Sequence, residues 1–146
     1  MSKILTKENL NKTAKEIIKE LKNKKKESAT IIAFFGDLGV GKTTTTKEIA
    51  KELGIKKTIV SPTFVVMKSY QTKDTRFKKL VHIDAYRLEK EEDVLILGWK
   101  EIIEDKNNLV VVEWTENILK YLPSGVYNIK IEHKDETTRT IKFWYN

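Results

Sequence analysis

The sequence predicts a three-layer α/β sandwich whose mixed sheet is parallel at its centre and extended by antiparallel hairpins. Three observations predict it. The apolar, partly β-branched run Thr30-Ile31-Ile32-Ala33-Phe34-Phe35 reads as a buried strand. It runs into the glycine-rich stretch Gly36-Asp37-Leu38-Gly39-Val40-Gly41-Lys42-Thr43 and then a helix with Ile49, Ala50 and Leu53 on one face, stopped by Gly54. Two further apolar runs, Leu80-Val81-His82-Ile83 and Leu109-Val110-Val111-Val112, read as strands that each end in an acid, Asp84 and Glu113. Residues 126–132 and 138–145 alternate about the polar turn Lys134-Asp135-Glu136, which makes a terminal antiparallel hairpin. Strands interleaved with helices stack as layers, with ligands at the carboxyl ends of the parallel strands.

The remaining elements follow in order. Thr6-Lys7-Glu8-Asn9 is expected to open the first helix with Thr6 as N-cap, and Leu10, Ala14, Ile17, Ile18 and Leu21 form its apolar face. The run Lys22-Asn23-Lys24-Lys25-Lys26 reads as a solvated connection. Pro62 biases Ser61 toward an extended conformation, so Ser61-Pro62-Thr63-Phe64 is an exposed loop; residues 64–70 then read as a strand that pairs with residues 79–84 across a polar turn. Residues 88–105 hold two short helices divided by Gly98, with Glu89-Lys90-Glu91-Glu92-Asp93 placing negative charge at the first N-terminus. A short helix over residues 116–121 stops at Leu122-Pro123.

Composition narrows the function classes. The 146 residues suit one substantial core, so a single domain over 1–146 is expected. No apolar run approaches the roughly 20 residues of a membrane span, and Met1-Ser2-Lys3-Ile4-Leu5 leads into charges, not a signal-peptide core. With no Cys, disulfides and thiolate metal sites are excluded and a cytoplasmic address is the simplest expectation. The net charge of +7 is almost wholly lysine, since the only arginines are Arg76, Arg87 and Arg139. Such a surface suits a nucleic acid or an acidic protein partner, and a Lys-, Ile- and Asn-rich composition also produces it unaided.

The chemistry resides in the glycine-rich stretch. Two glycines with four residues between them, followed by Lys and Thr between a strand and a helix, form a phosphate-loop pattern. The glycines let successive N–H groups converge on one anion-sized hollow backed by the positive helix end. Lys42 then reaches the β- and γ-phosphates, and the Thr43 hydroxyl completes the shell of a Mg²⁺ ion. Such sites also need a carboxylate at the end of a neighbouring strand. Asp84 and Glu113 both qualify, and spacing does not decide which is the direct ligand. Ser61-Pro62-Thr63-Phe64 is the candidate loop that senses a γ-phosphate.

Taken in order, the phosphate loop, Ser61-Pro62-Thr63-Phe64, His82-Ile83-Asp84-Ala85-Tyr86-Arg87-Leu88, Leu97-Gly98 and Glu113-Trp114 resemble the bacterial TsaE (YjeE) family over nearly the whole chain. The resemblance implies a P-loop NTPase-like ATPase of tRNA threonylcarbamoyladenosine formation that uses ATP and Mg²⁺. It also implies work with the TsaD–TsaB pair, tRNA being reached through that complex. It implies that Asp37, Leu38, Gly39, Val40, Gly41 and Lys42 wrap the phosphates, with Thr44 beside them and Thr43 on Mg²⁺. Glu113 matches the family's metal-site acid, Asp84 its carboxylate near the attacking water, Thr63 its switch-like loop and Trp114 the aromatic after the acid. Arg139 resembles a position near the nucleotide. Thr115 stands where Pro is frequent, which leaves the exit from Glu113 less rigid.

Tyr86 and Trp99 read as packing residues, Arg87 equally as an ion-pair anchor or a phosphate or partner contact, and His82 and His133 as strand residues without a role. No arginine finger is evident, so slow ATP turnover is expected from the protein alone. The alternative is a small-molecule kinase, which generally clamps its substrates with a lid of several arginines. Three scattered arginines argue against it.

Overall fold

The computed structural model describes residues 1–62 and 65–146. Its centre is a seven-stranded sheet in the order β1-β7-β6-β2-β5-β4-β3. The strands are β1 (Ser2–Leu5), β2 (Thr30–Phe35), β3 (Met67–Gln71), β4 (Lys79–Asp84), β5 (Asn108–Glu113), β6 (Tyr127–His133) and β7 (Arg139–Tyr145). Strands β6, β2, β5 and β4 run parallel, while β3, β7 and β1 each add antiparallel to their neighbour. The parallel centre flanked by antiparallel hairpins is the arrangement expected from sequence.

Alternation along the strands divides the core. Ile32, Phe34, Leu80, Leu109 and Val111 pack beneath helices α1 (Leu10–Lys22) and α2 (Lys42–Glu52), through Ile17, Leu21, Ile49 and Ala50. Ile31, Ala33, Val81, Ile83, Val110 and Val112 point the other way, onto Val94 of α3 (Glu91–Ile96), Trp99 of α4 (Trp99–Glu104) and Ile118. Covered on both faces, the central strands read as continuous apolar runs. Gly98 sits at φ +73 between α3 and α4, a left-handed conformation that separates them as expected.

Four local expectations need correction. The first helix begins at Leu10, not Thr6: the Thr6 N–H donates to Asn9 Oδ1 and the Asn9 N–H to Thr6 Oγ1, and these reciprocal bonds hold a turn ahead of the helix. Ser2–Leu5, unassigned from sequence, is an edge strand paired with β7. The strand expected over 64–70 starts at Met67, because Val66 takes φ +68 and leaves the extended region. The short helix over 116–121 is a 3-10 segment, Thr115–Tyr121, with a non-helical break at Ile118.

The lysine run is also less solvated than expected. Lys22 pairs with Asp74, Lys24 Nζ lies 3.6 Å from the centre of the Tyr145 ring, and Lys26 Nζ donates to the Gly125 carbonyl at 2.8 Å. Burial, with Lys24 and Arg76 nearby, pushes the Lys26 ammonium below its ordinary value.

Candidate functional site

The carboxyl ends of β2, β4 and β5 lie side by side and carry the loop and both acids. Gly36 leaves β2 at φ +140, and a Cβ there would stand 2.3 Å from the Ile131 carbonyl oxygen of β6. Only glycine allows the loop to leave the sheet so close to its neighbour. At Gly41, φ +113 turns the chain into α2. A Cβ on Gly39 or Gly41 would meet no atom within 4 Å, so this part of the loop is open. The first turn of α2 leaves N–H groups without intrahelical partners and adds the positive end of the dipole.

Lys42 is 6% exposed. Its Nζ donates to the Gly36 carbonyl at 2.5 Å and lies 4.4 Å from the centre of the Trp114 ring. The ammonium thus bridges the loop. Thr45 and Thr46 donate to the carbonyls of Gly41 and Lys42, at 2.7 and 3.0 Å, and hold the first turn together.

Asp84 and Glu113 are direct register partners on β4 and β5, and both are buried. Their surroundings differ. Thr43 Oγ1 lies 3.0 Å from Glu113 Oε1 and 3.1 Å from Oε2, so the hydroxyl at the start of α2 meets the acid at the end of β5. His82 Nε2 lies 2.5 Å from Oε2 of the same carboxylate. Asp84 Oδ1 accepts the Tyr86 N–H at 3.0 Å and caps a 3-10 turn, Ala85–Arg87. Of the two candidate acids, Glu113 is the one joined to Thr43.

Among the described residues no cluster of three or more His, Asp or Glu is arranged to hold a metal. One carboxylate and one hydroxyl nevertheless fit Mg²⁺, which characteristically takes its other ligands from water and substrate phosphates.

The exit from Glu113 is anchored, contrary to expectation. Buried Thr115 donates to the carbonyls of Phe34 and Val112 at 3.0 and 3.2 Å, tying the turn back to β2 and β5. Trp114 sits at φ +56, and its ring packs 5.1 Å from that of Tyr86. Asn117 donates to the carbonyls of Ala85 and Tyr86, at 2.9 and 3.1 Å, and so links the turns after both acids. Trp99 is a packing residue: it is buried and its indole N–H donates to the Tyr121 carbonyl at 3.1 Å.

Beside the loop lies a cavity of about 350 Å³ between the β1–α1 connection, the start of α2 and the tip of the β6–β7 hairpin. Leu5, Leu10, Gly41, Thr44, Thr137 and Arg139 help line it. Arg139 donates to the carbonyls of Asp135 and Thr138, at 3.1 and 3.0 Å, which fixes its side chain on the hairpin. Asp37 and Leu38 are exposed on the outer part of the loop, and Val40 is buried beneath it. Ser61-Pro62 precedes Thr63 and Phe64, which lie outside the described residues; beyond them the Val66 carbonyl accepts the Asp84 N–H at 2.8 Å.

His82 is the residue that sequence reasoning missed. Its alternation with Asp84 on one face of β4 was the available signal, but its contact with Glu113 depends on the pairing of β4 with β5.

The family described as Threonylcarbamoyl adenosine biosynthesis protein TsaE matches residues 4–141. A Nostoc sp. protein named tRNA threonylcarbamoyladenosine biosynthesis protein TsaE is 38% identical over 115 residues, 77% of this chain and 68% of that protein. The Bacillus subtilis protein of the same name is 36% identical over 113 residues, again 77% and 68%. With the Rickettsia felis counterpart, 36% identity over 110 residues covers 75% of this chain and 61% of that protein, less than two thirds of its length. A crystal structure of Bacillus subtilis YdiB superposes with a TM-score of 0.68 at 28% identity, covering 98% of this chain and 86% of that one.

Proposed function

The chain belongs to the TsaE family, and on that premise we propose that it is a Mg²⁺-dependent, P-loop ATP-binding and ATP-hydrolysing protein that supports turnover of a TsaD–TsaB complex in tRNA threonylcarbamoyladenosine formation. The observation that carries this reading is the hydrogen bond between Thr43 and Glu113, residues 70 apart in sequence, at the mouth of the Gly36 loop.

The residues act mainly by position and charge. The loop N–H groups donate to phosphate oxygens, and Lys42 exchanges the Gly36 carbonyl for the β- and γ-phosphates. Thr43 keeps its proton on Glu113, which leaves an oxygen lone pair for the metal. Bound Mg²⁺ would neutralise charge on the phosphate oxygens. Asp84, beside Glu113, orients the attacking water. The base and ribose are assigned to the cavity beside Thr44 and Arg139. Thr63, after Ser61-Pro62, is assigned to sensing the γ-phosphate, and Trp114 to covering Lys42.

Arg76 donates to the Lys106 carbonyl at 2.9 Å, at the amino ends of β4 and β5 and away from the loop. Arg139 is held on the hairpin by the Asp135 and Thr138 carbonyls. We assign slow turnover to the free protein and a further transition-state contact to its partner complex. In such enzymes a contact supplied in trans is worth about 10³-fold or more. A cytoplasmic address goes with this role, with tRNA reached through the complex. Among the described residues no helix is long and apolar enough to cross a membrane.

The test is ATP turnover measured alone and with TsaD and TsaB, together with co-purification in ADP and in a non-hydrolysable ATP analogue. Faster turnover in the complex and nucleotide-dependent retention are expected. Equal turnover with and without the partners would overturn the proposed dependence.

A further inference from the structure

His82 belongs to an apolar stripe. On the α2-facing side of the sheet, β4 presents Leu80, His82 and Asp84, while β5 presents Leu109, Val111 and Glu113 in matching register. His82 is fully buried at 0% exposure. A polar ring at such a depth is costly unless hydrogen-bonded. Its Nδ1 has no partner among the described residues, whereas its Nε2 lies 2.5 Å from Glu113 Oε2. Thr43 meets the same carboxylate from the loop side.

We propose that His82 is a positioning residue for Glu113: from beneath, its Nε2–H holds one carboxylate oxygen and fixes the orientation in which Glu113 meets Thr43 and a bound metal. This rests on the reading of Glu113 as the metal-site acid. A glutamate has three rotatable side-chain bonds, and contact with Thr43 alone ties the carboxylate to a single hydroxyl that the metal shares. The imidazole, buried on β4, provides an anchor that belongs to the sheet and not to the loop or α2. Partners that orient metal ligands in this way typically change metal affinity by about 10- to 100-fold when removed.

The experiment compares wild type, His82→Phe, His82→Gln and Glu113→Gln, using Mn²⁺ with ADP as the paramagnetic probe and ADP in EDTA as the metal-free reference. His82→Phe fills the site without a donor and should weaken Mn²⁺ binding by about 10- to 100-fold, with metal-free ADP affinity unchanged. His82→Gln, whose amide still donates, should recover most of that loss. Wild-type Mn²⁺ affinity in His82→Phe, or a Gln variant no better than Phe, would overturn the proposal. If Glu113→Gln weakens Mn²⁺ binding and His82→Phe does not, the positioning role alone fails. If Glu113→Gln leaves Mn²⁺ binding intact, the metal-site reading fails and takes the proposal with it.

A readout on the unmutated core guards against a folding defect. The chain has two histidines, and His133 is exposed, so ¹⁵N-labelled imidazoles give two separable rings. The buried ring should carry its proton on Nε2, and its signal should move in Glu113→Gln. A buried-ring signal indifferent to that substitution would overturn the contact itself.

Discussion

Thr43 Oγ1 stands within hydrogen-bond distance of both carboxylate oxygens of Glu113, at 3.0 and 3.1 Å, and so joins the first turn of α2 to the last residue of β5. If that pair forms half of a Mg²⁺ site, Thr43→Ala lowers ADP affinity in Mg²⁺ and leaves affinity in EDTA near that of wild type. Combined with Glu113→Gln, it should show a coupling of about 0.5–3 kcal/mol, since contacting residues are not additive. Titration calorimetry checks this. Equal losses with and without Mg²⁺ would remove Thr43 from the metal site.

Lys42 holds a second relationship that nucleotide should break. Its ammonium bonds the Gly36 carbonyl and lies over Trp114, contacts that phosphate oxygens would replace with a stronger charge-assisted bond. Lys42→Ala should cost about 2–5 kcal/mol of ADP binding, the range for truncating one member of a buried charge pair. Thermal stability should change little by comparison. Unchanged ADP affinity would refute the phosphate-loop role.

Gly36→Ala tests the geometry of the loop without touching its charges. The new Cβ would fall 2.3 Å from the Ile131 carbonyl oxygen at a φ of +140, so β6 or the loop must shift. A loss of more than about 2 kcal/mol in folding stability is expected from this combined clash and strain. Urea unfolding reads it. A variant as stable as wild type would mean that the loop leaves β2 along another path.

Asp74 gives the stability a pH signature. Burial pushes its carboxyl up, but Lys22 and the N–H groups of Phe77 and Arg76 outweigh burial and hold it below the ordinary 3.8. A carboxyl depressed on folding contributes stability that is fully present above its unfolded value and is lost as pH falls through the folded one. Asp74→Asn should therefore unfold more easily than wild type at neutral pH, with the gap closing as pH falls below about 3.8. A gap of constant size down the acid range would show that charge is not what Asp74 contributes.

Much of this architecture was legible in the chain. Thr30–Phe35 and Asn108–Glu113 are buried on both faces, so their apolar runs announce them whatever surrounds them. Gly98 announces the break between α3 and α4, since its left-handed backbone disfavours other residues. Edge strand β1 was not legible: it has four residues and pairs with β7, whose register begins at Arg139 and lies far away in sequence. The start of the first helix was not legible either: Thr6 and Asn9 satisfy each other's N–H groups in a turn, and a residue list does not separate that from an N-cap. The lysines after α1 looked solvated because their partners, Asp74, Tyr145 and Gly125, come from distant segments.

The chain's local pattern is enough to place the loop, its lysine and threonine, and an acid at the end of each of two strands. These are local properties, set by glycine spacing, β-branching and the apolar runs between. Which acid meets Thr43 depends on strand order, because only the order β2-β5-β4 sets β5 beside the strand that leads into the loop. The same order brought His82 under Glu113 and tied Thr115 to Phe34. Side chains on different strands meet through sheet order and register, which long-range packing sets and no local pattern encodes.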